Sequence, residues 1–367
     1  MTRAIILAAG FGSRLMPLTA SAPKGMVPLC GVPLLMRQIS VLRNAGIHDI
    51  TIVGGYHEEA LYCLGHPVVR NAEYAATNMV ESLMRARHLL DGMQDVLMCY
   101  GDIVYEARVL AALLDTQGDI AITADLGWEK LWSARMENYV SDIETFRMHE
   151  GKVIALGKKP DDLKDVEAQY IGLVKFSAAA QLRLLAFYDA LDRRATYDGK
   201  NFDNMYMTSF LQMLIDAGYD VRPALIRNGW LEVDTLEDHR RYEAMQNLGT
   251  LTPICALPAP ATLEDVLQKS EREKPAYATD AAMLDLLSRK LEIVGTLHRH
   301  YQGKRACGEV ASADDAAWLL AQLLRVFDET RDYRYLNTVI KALGGTLKNP
   351  RPAYQAELEQ LIAQRLA

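Results

Sequence analysis

The stretch Ala4-Ile5-Ile6-Leu7-Ala8-Ala9-Gly10-Phe11-Gly12-Ser13-Arg14-Leu15, followed by Pro17-Leu18-Thr19 and then Pro23-Lys24, reads as a strand that runs straight into a glycine-rich turn. Small residues and two glycines at the carboxyl end of a first strand let backbone N–H groups approach a phosphate chain. Arg14 and Lys24 can neutralise the charge that develops there. A lone G-x-G serves equally well as a tight turn packing a helix on a sheet, so the turn gains meaning only from what surrounds it. The spacing is not that of a Walker A loop, and no acidic residue stands where a dinucleotide-binding fold grips a ribose hydroxyl. P-loop ATPase and hydride-transfer readings both lose ground.

Outward from this stretch, to about residue 245, short apolar runs of strand length alternate with longer helical patterns. That alternation is the signature of an α/β fold around a mostly parallel, mixed sheet. Residues 4–8, 49–53, 96–100 and 120–124 are the clearest strands, and the spacing of Leu, Ile, Met and Val predicts helices over 33–45 and 78–90. From 246 to 278 prolines and then a charged stretch suggest a linker. Apolar positions at helical spacing over 279–301, 332–343 and 354–366 predict a small all-α C-terminal domain at 279–367. Its apolar faces suit packing on the α/β domain, a partner, or a homodimer. His298, His300 and Cys307 make a poor metal site, because two histidines two apart on a helix diverge in direction. No repeat of fixed period is present, and no hexapeptide pattern announces a β-helix.

The net charge of -7 over 367 residues argues against a nucleic-acid partner, which would need a segregated basic patch. Five cysteines (30, 63, 99, 255 and 307) are odd in number and widely spaced, so reduced thiols are expected rather than a disulfide framework. The first apolar run is too short to span a membrane and lacks a cleavage pattern, which leads to the expectation of a cytoplasmic protein with no membrane partner.

Chemistry on phosphate groups calls for hard oxygen ligands for Mg²⁺, brought together from distant positions. Asp102, in Tyr100-Gly101-Asp102 after an apolar strand, and Asp234, in Trp230-Leu231-Glu232-Val233-Asp234-Thr235, suit that role. A Gly-Asp pair is also an ordinary turn.

With these residues in view, the segment 4–35 resembles the signature of the sugar-phosphate nucleotidyltransferase superfamily: an apolar strand, L-A-A-G-x-G-[ST]-R-L-x-P-L-T, then P-K and G-x-P-L-[LI]. The resemblance implies a Rossmann-like nucleotidyltransferase domain over 1–245 that binds a nucleoside triphosphate at the carboxyl ends of its strands. By it, Leu7, Ala8, Ala9, Gly10, Gly12, Ser13 and Gly101 line the nucleotide, and Arg14 and Lys24 meet the phosphates. Asp102 and Asp234 hold the metal with Glu232 assisting.

The order of motifs is similar to one branch, the bacterial phosphocholine cytidylyltransferases and their relatives acting on 2-aminoethylphosphonate and related phosphonates. Asn78-Met79-Val80-Glu81-Ser82-Leu83 resembles the branch's N-x-x-x-S-L segment, which implies contact of Asn78 and Ser82 with base or phosphate; Asn78 suits a helix N-cap equally well. Lys158, in Gly157-Lys158-Lys159-Pro160, is expected to contact the acceptor phosphate, and the sugar-gripping glutamate of the hexose 1-phosphate enzymes is absent there. Trp128, Trp132, Tyr170 and Tyr206 are candidates for an aromatic wall around a cationic head group, although aromatic residues in such places are more often core. Arg135 would favour an acceptor with an added carboxylate. The expected reaction joins CMP from CTP to a phosphate or phosphonate oxygen with release of pyrophosphate. A hexose 1-phosphate enzyme using UTP or dTTP is the alternative, and a non-catalytic regulatory subunit is disfavoured because Arg14, Lys24, Asp102 and Asp234 are all intact.

Overall fold

The computed structural model describes residues 2–136 and 138–258. The predicted C-terminal helices at 279–367, and most of the predicted linker, lie outside the described residues. Seven strands form the central sheet: β1 (Thr2–Ala8), β2 (Ile50–Gly54), β3 (Val68–Arg70), β4 (Asp95–Tyr100), β5 (Ile120–Asp125), β6 (Gln169–Phe176) and β7 (Val221–Ile226). Their order is β7-β5-β6-β4-β1-β2-β3. All pairs are parallel except those of β6, which runs antiparallel to both β4 and β5. The expected α/β class with a mostly parallel mixed sheet is therefore what the chain forms. The first four predicted strands appear with ends within about two residues of the expected ones.

Ala4, Ile5 and Ile6 are fully buried, as a central strand covered on both faces requires. The helices α1 (Leu34–Asn44), α2 (Met79–Arg85), α3 (Ala107–Asp115), α4 (Trp128–Arg135), α5 (Ala178–Ala190), α6 (Met207–Asp216) and α7 (Leu236–Asn247) flank the sheet. Leu34, Leu35 and Leu42 of α1 and Phe210, Leu211 and Leu214 of α6 reach zero exposure. Beyond α7, residues 248–258, which the sequence reading takes into the linker, run along the domain. Leu251, Ile254 and Cys255 are buried, Gly229 N–H donates to Ile254 O, and Arg37 donates to Pro258 O. Among the described residues no helix is long and apolar enough to cross a membrane.

The topology decides where a ligand can sit. The chain leaves β1 for β2 and β3 on one side, then returns to β4 on the other, so a crevice opens at the carboxyl ends of β1 and β4. Because β6 is reversed, its first residues, Gln169 and Tyr170, arrive at this same edge opposite Asp125 and Ala124.

Candidate active site

The glycine-rich turn leaves β1 at the crevice. Gly12 has φ +66°, and a Cβ there would lie 3.0 Å from Lys24 Cβ, so the turn closes over the lysine stem only with glycine at this position. Its carbonyl accepts from Leu15 N–H and Thr19 Oγ1, which fixes the short turn carrying Ser13 and Arg14. Gly10 is exposed with open space where a Cβ would be. Leu7 and Ala8 end the strand, and Ala9 O accepts from Tyr56 N–H. Across the crevice Gly101 N–H donates to Leu7 O at 2.9 Å, an approach so close that a Cβ on Gly101 would stand 2.6 Å from that oxygen.

Two distant segments meet after Gly101. The short strand Ile103–Tyr105 pairs antiparallel with Trp230–Glu232, placing Ile103 opposite Glu232, and Val233 N–H donates to Asp102 O. This pairing brings the three carboxylates together: one oxygen each from Asp102, Glu232 and Asp234 lie within 4.8 Å of one another. Lys24 Nζ sits between Asp102 Oδ2 and Asp234 Oδ1, 2.7 Å from each. Arg14 grips Asp234 with both terminal nitrogens, at 2.7 and 2.9 Å. Burial works against the charge on Lys24, and Asp102, Asp234 and Glu232 outweigh it, so its pKa is raised and it stays a cation. Glu232 is pushed up to about 7, first by burial and then by Asp102 and Asp234, against the pull of Arg135 and Lys24.

Asp102 Oδ1 is buried and has no hydrogen-bond partner. An orphaned carboxylate oxygen is costly unless a ligand completes it, and three clustered carboxylates offer the hard oxygens that Mg²⁺ takes. The residues present fit a divalent cation.

Around this cluster the predicted acceptor residues take up unexpected places. Trp128 and Trp132, one turn apart on α4, are 5% and 4% exposed. Trp128 meets Trp132 and Tyr139 edge-on, while Trp132 leans on Trp230 and donates Nε1–H to Asp142. Both rings are buried and pack on other aromatic side chains. Arg135 is likewise interior, ion-paired to Glu232 and Asp238, the positions the fold gives to its guanidinium.

Tyr170 stays at the crevice edge, its ring 5.7 Å from that of Tyr100. Tyr206 is 39% exposed and carries Lys200 Nζ over its ring. Asn78 caps α2, accepting from Met79 N–H, and the buried Ser82 hydroxyl accepts from Asn71, so both polar groups serve the fold here. Lys158 is exposed at the end of the hairpin formed by Phe146–His149 and Lys152–Leu156, with its backbone N–H on Thr145 Oγ1 and its carbonyl on Thr145 N–H.

Two further carboxylates, neither predicted as a site residue, complete the surroundings. Asp125, wholly buried at the end of β5, accepts from Gly127 N–H, Asn228 N–H and Trp230 Nε1–H at 2.7–2.9 Å. It thereby anchors the strand that delivers Glu232 and Asp234. Glu144 is held through its backbone by Gln169, whose amide both donates to Glu144 O and accepts from Glu144 N–H. Its carboxyl is pushed up to about 7, by burial first and then by Glu232 and Asp142.

The folded protein thus keeps a proton on Glu144 that the unfolded chain releases above about pH 4.5, so this residue costs stability increasingly as pH rises toward 7. Glu144→Gln is expected to raise unfolding stability by about 1–2 kcal/mol at pH 8, after discounting for partial exposure, with the gain gone near pH 4.5. Urea unfolding at the two pH values checks this, and equal effects at both would contradict it.

A mixed α/β sheet whose switch point carries two cations and three converging carboxylates has the architecture of an enzyme that works on phosphate esters. The MobA-like NTP transferase domain family matches residues 4–156. A CTP:phosphoglutamine cytidylyltransferase of Campylobacter jejuni is 43% identical over 245 residues, covering 64% of this chain and 96% of that protein. A 2-aminoethylphosphonate cytidylyltransferase of Lancefieldella rimae is 28% identical over 191 residues, 51% of this chain and 71% of the relative. Among solved structures, the inositol-1-phosphate CTP transferase from T. maritima shares the fold, with a TM-score of 0.54 at 19% identity over 70% of this chain and 98% of that one. The chain belongs to the sugar-phosphate nucleotidyltransferase superfamily and is a nucleotidyltransferase.

Proposed function

We propose that the protein transfers CMP from CTP to a small acceptor bearing a phosphate or phosphonate, with release of pyrophosphate. The carrying observation is the meeting of Arg14, Lys24, Asp102, Glu232 and Asp234 at the crevice between β1 and β4. The choice of CTP and of a head-group acceptor is supported by the relatives named for phosphoglutamine and 2-aminoethylphosphonate. The phosphoglutamine relative matches along nearly its whole length, so a phosphorylated amino-acid amide leads the candidate acceptors, ahead of 2-aminoethylphosphonate and phosphocholine.

An acceptor oxygen attacks the α-phosphorus of CTP, the bond to the bridging oxygen breaks, and pyrophosphate leaves in line with the attack. The attacking oxygen is already largely ionised near neutral pH, so no side chain is needed as a general base. Arg14, whose side chain is 68% exposed, is able to exchange Asp234 for the β- and γ-phosphates, because a screened ion pair of this kind is weak. Lys24 stays at the α-phosphate, where its fixed charge meets the charge developing on the equatorial oxygens. Asp102, Glu232 and Asp234 would hold Mg²⁺, which supplies Lewis-acid stabilisation of the phosphoryl oxygens. Lys158 has no ion pair among the described residues and is proposed to draw in the acceptor phosphate.

Pyrophosphate release with CTP and Mg²⁺ across phosphoglutamine, 2-aminoethylphosphonate, phosphocholine and hexose 1-phosphates tests the acceptor. Turnover with a head-group substrate is expected. Turnover with hexose 1-phosphates alone would overturn the proposed acceptor class.

A further inference from the structure

We infer that Arg135 is the positioning residue that sets the geometry of two of the three clustered carboxylates. The inference rests on the metal-holding role proposed for Asp102, Glu232 and Asp234, and adds to it the group that fixes Glu232 and Asp234. One arm of Arg135 is direct: NH1 donates to Glu232 Oε2 at 2.8 Å. The other arm acts through a helix cap. Nε and NH2 donate to the two oxygens of Asp238 at 3.3 and 3.5 Å, and Asp238 Oδ2 in turn accepts from the backbone N–H groups of Asp234 and Thr235 at 3.2 and 2.9 Å.

Asp238 is also the N3 member of the capping box that starts α7 at Thr235, so the backbone carrying Asp234 is held where helix, cap and guanidinium meet. Arg135 itself cannot wander. Its side chain is 2% exposed, and it lies over the ring of Trp132, which is fixed by Trp230 and Asp142. Burial opposes its charge, and Glu232, Tyr242 and Asp238 outweigh that penalty, so the guanidinium's pKa is raised.

A planar guanidinium suits this task where an ammonium does not, because its five N–H groups diverge in one plane and can reach two carboxylates at once. It also explains how Glu232 can stand beside two other carboxylates: Arg135 supplies a countercharge at 2.8 Å. Outer residues that orient metal-binding carboxylates usually change metal affinity by 10- to 100-fold when replaced.

The test uses the full chain and Mn²⁺ as the probe, with binding followed by water-proton relaxation, with and without CTP. Arg135→Met is expected to weaken Mn²⁺ binding by roughly 10- to 100-fold and to lower kcat more than it raises KM for CTP. Arg135→Lys should recover only part of this, since the charge returns without the fork. Asp238→Asn, which keeps an acceptor for the cap but loses the charge on one arm, should weaken Mn²⁺ by roughly 3- to 10-fold and serves if Arg135→Met does not fold.

A folded Arg135→Met or Asp238→Asn protein with lower stability but unchanged Mn²⁺ affinity would overturn the inference, leaving Arg135 as a strut between α4 and α7. Asp102→Asn separates the two readings. If it fails to weaken Mn²⁺ binding, the proposed metal site falls, and the positioning role with it; if it weakens binding while the Arg135 and Asp238 variants do not, only the positioning role falls.

Discussion

Asp234→Asn is expected to lower kcat/KM on the order of a thousandfold while costing only about 1–2 kcal/mol of stability. Asp234 receives both terminal nitrogens of Arg14 and the ammonium of Lys24, and it stands within 4.8 Å of the other two carboxylates. Losing its charge weakens the proposed metal site and frees the two cations from their shared anchor, yet it removes no packing. The amide keeps one oxygen as acceptor, and Lys24 keeps Asp102. Steady-state pyrophosphate release together with urea unfolding separates the two effects. A variant that retained a tenth of wild-type kcat/KM would contradict the role proposed for Asp234.

Asp125→Ala is the expected opposite case, with its main effect on stability. Three N–H groups from two stretches of chain converge on this fully buried carboxylate. Removing it leaves buried donors without an acceptor, the Trp230 indole among them, and opens a cavity. A cost of about 3–5 kcal/mol follows, since each bond to a charged acceptor contributes roughly 1.5–3 kcal/mol and the losses overlap. Because Trp230 begins the strand that carries Glu232, residual activity should fall as well. A denaturation midpoint close to wild type would show that Asp125 is not the anchor of this strand.

The central strands were legible because apolar runs ending at glycine or aspartate have few other uses, and β1 with its turn carries most of that signal. Asp102 and Asp234 could be singled out from the residue types that phosphate chemistry needs, and the fold does bring them together with Glu232. The way they meet was not legible: the strand pair Ile103–Tyr105 and Trp230–Glu232 is only three residues long, and nothing local marks one segment as the partner of the other.

On the acceptor side the surroundings of the predicted residues were hidden for a related reason. Trp128 and Trp132, four residues apart, share one helix face, and that spacing identifies a buried stripe as readily as a ligand wall. Arg135 was read as a ligand contact because its countercharges, Glu232 and Asp238, lie about a hundred residues downstream and only the fold reveals the pairing. The capping role of Asn78 was in reach from sequence, since asparagine ahead of an apolar helical pattern is a strong N-cap signal. Asp125 belongs to no motif, and two of its three donors, Asn228 and Trp230, come from about a hundred residues downstream.

The most direct test of the central claim is pyrophosphate release measured with CTP, UTP, dTTP, ATP and GTP in turn, each with phosphoglutamine, 2-aminoethylphosphonate or phosphocholine, with Mg²⁺ and again after its removal by chelation. The account predicts release with CTP and Mg²⁺ that disappears when the metal is removed and falls steeply with the other nucleotides. Release that is independent of divalent metal, or that runs only with UTP or dTTP and hexose 1-phosphates, would contradict it.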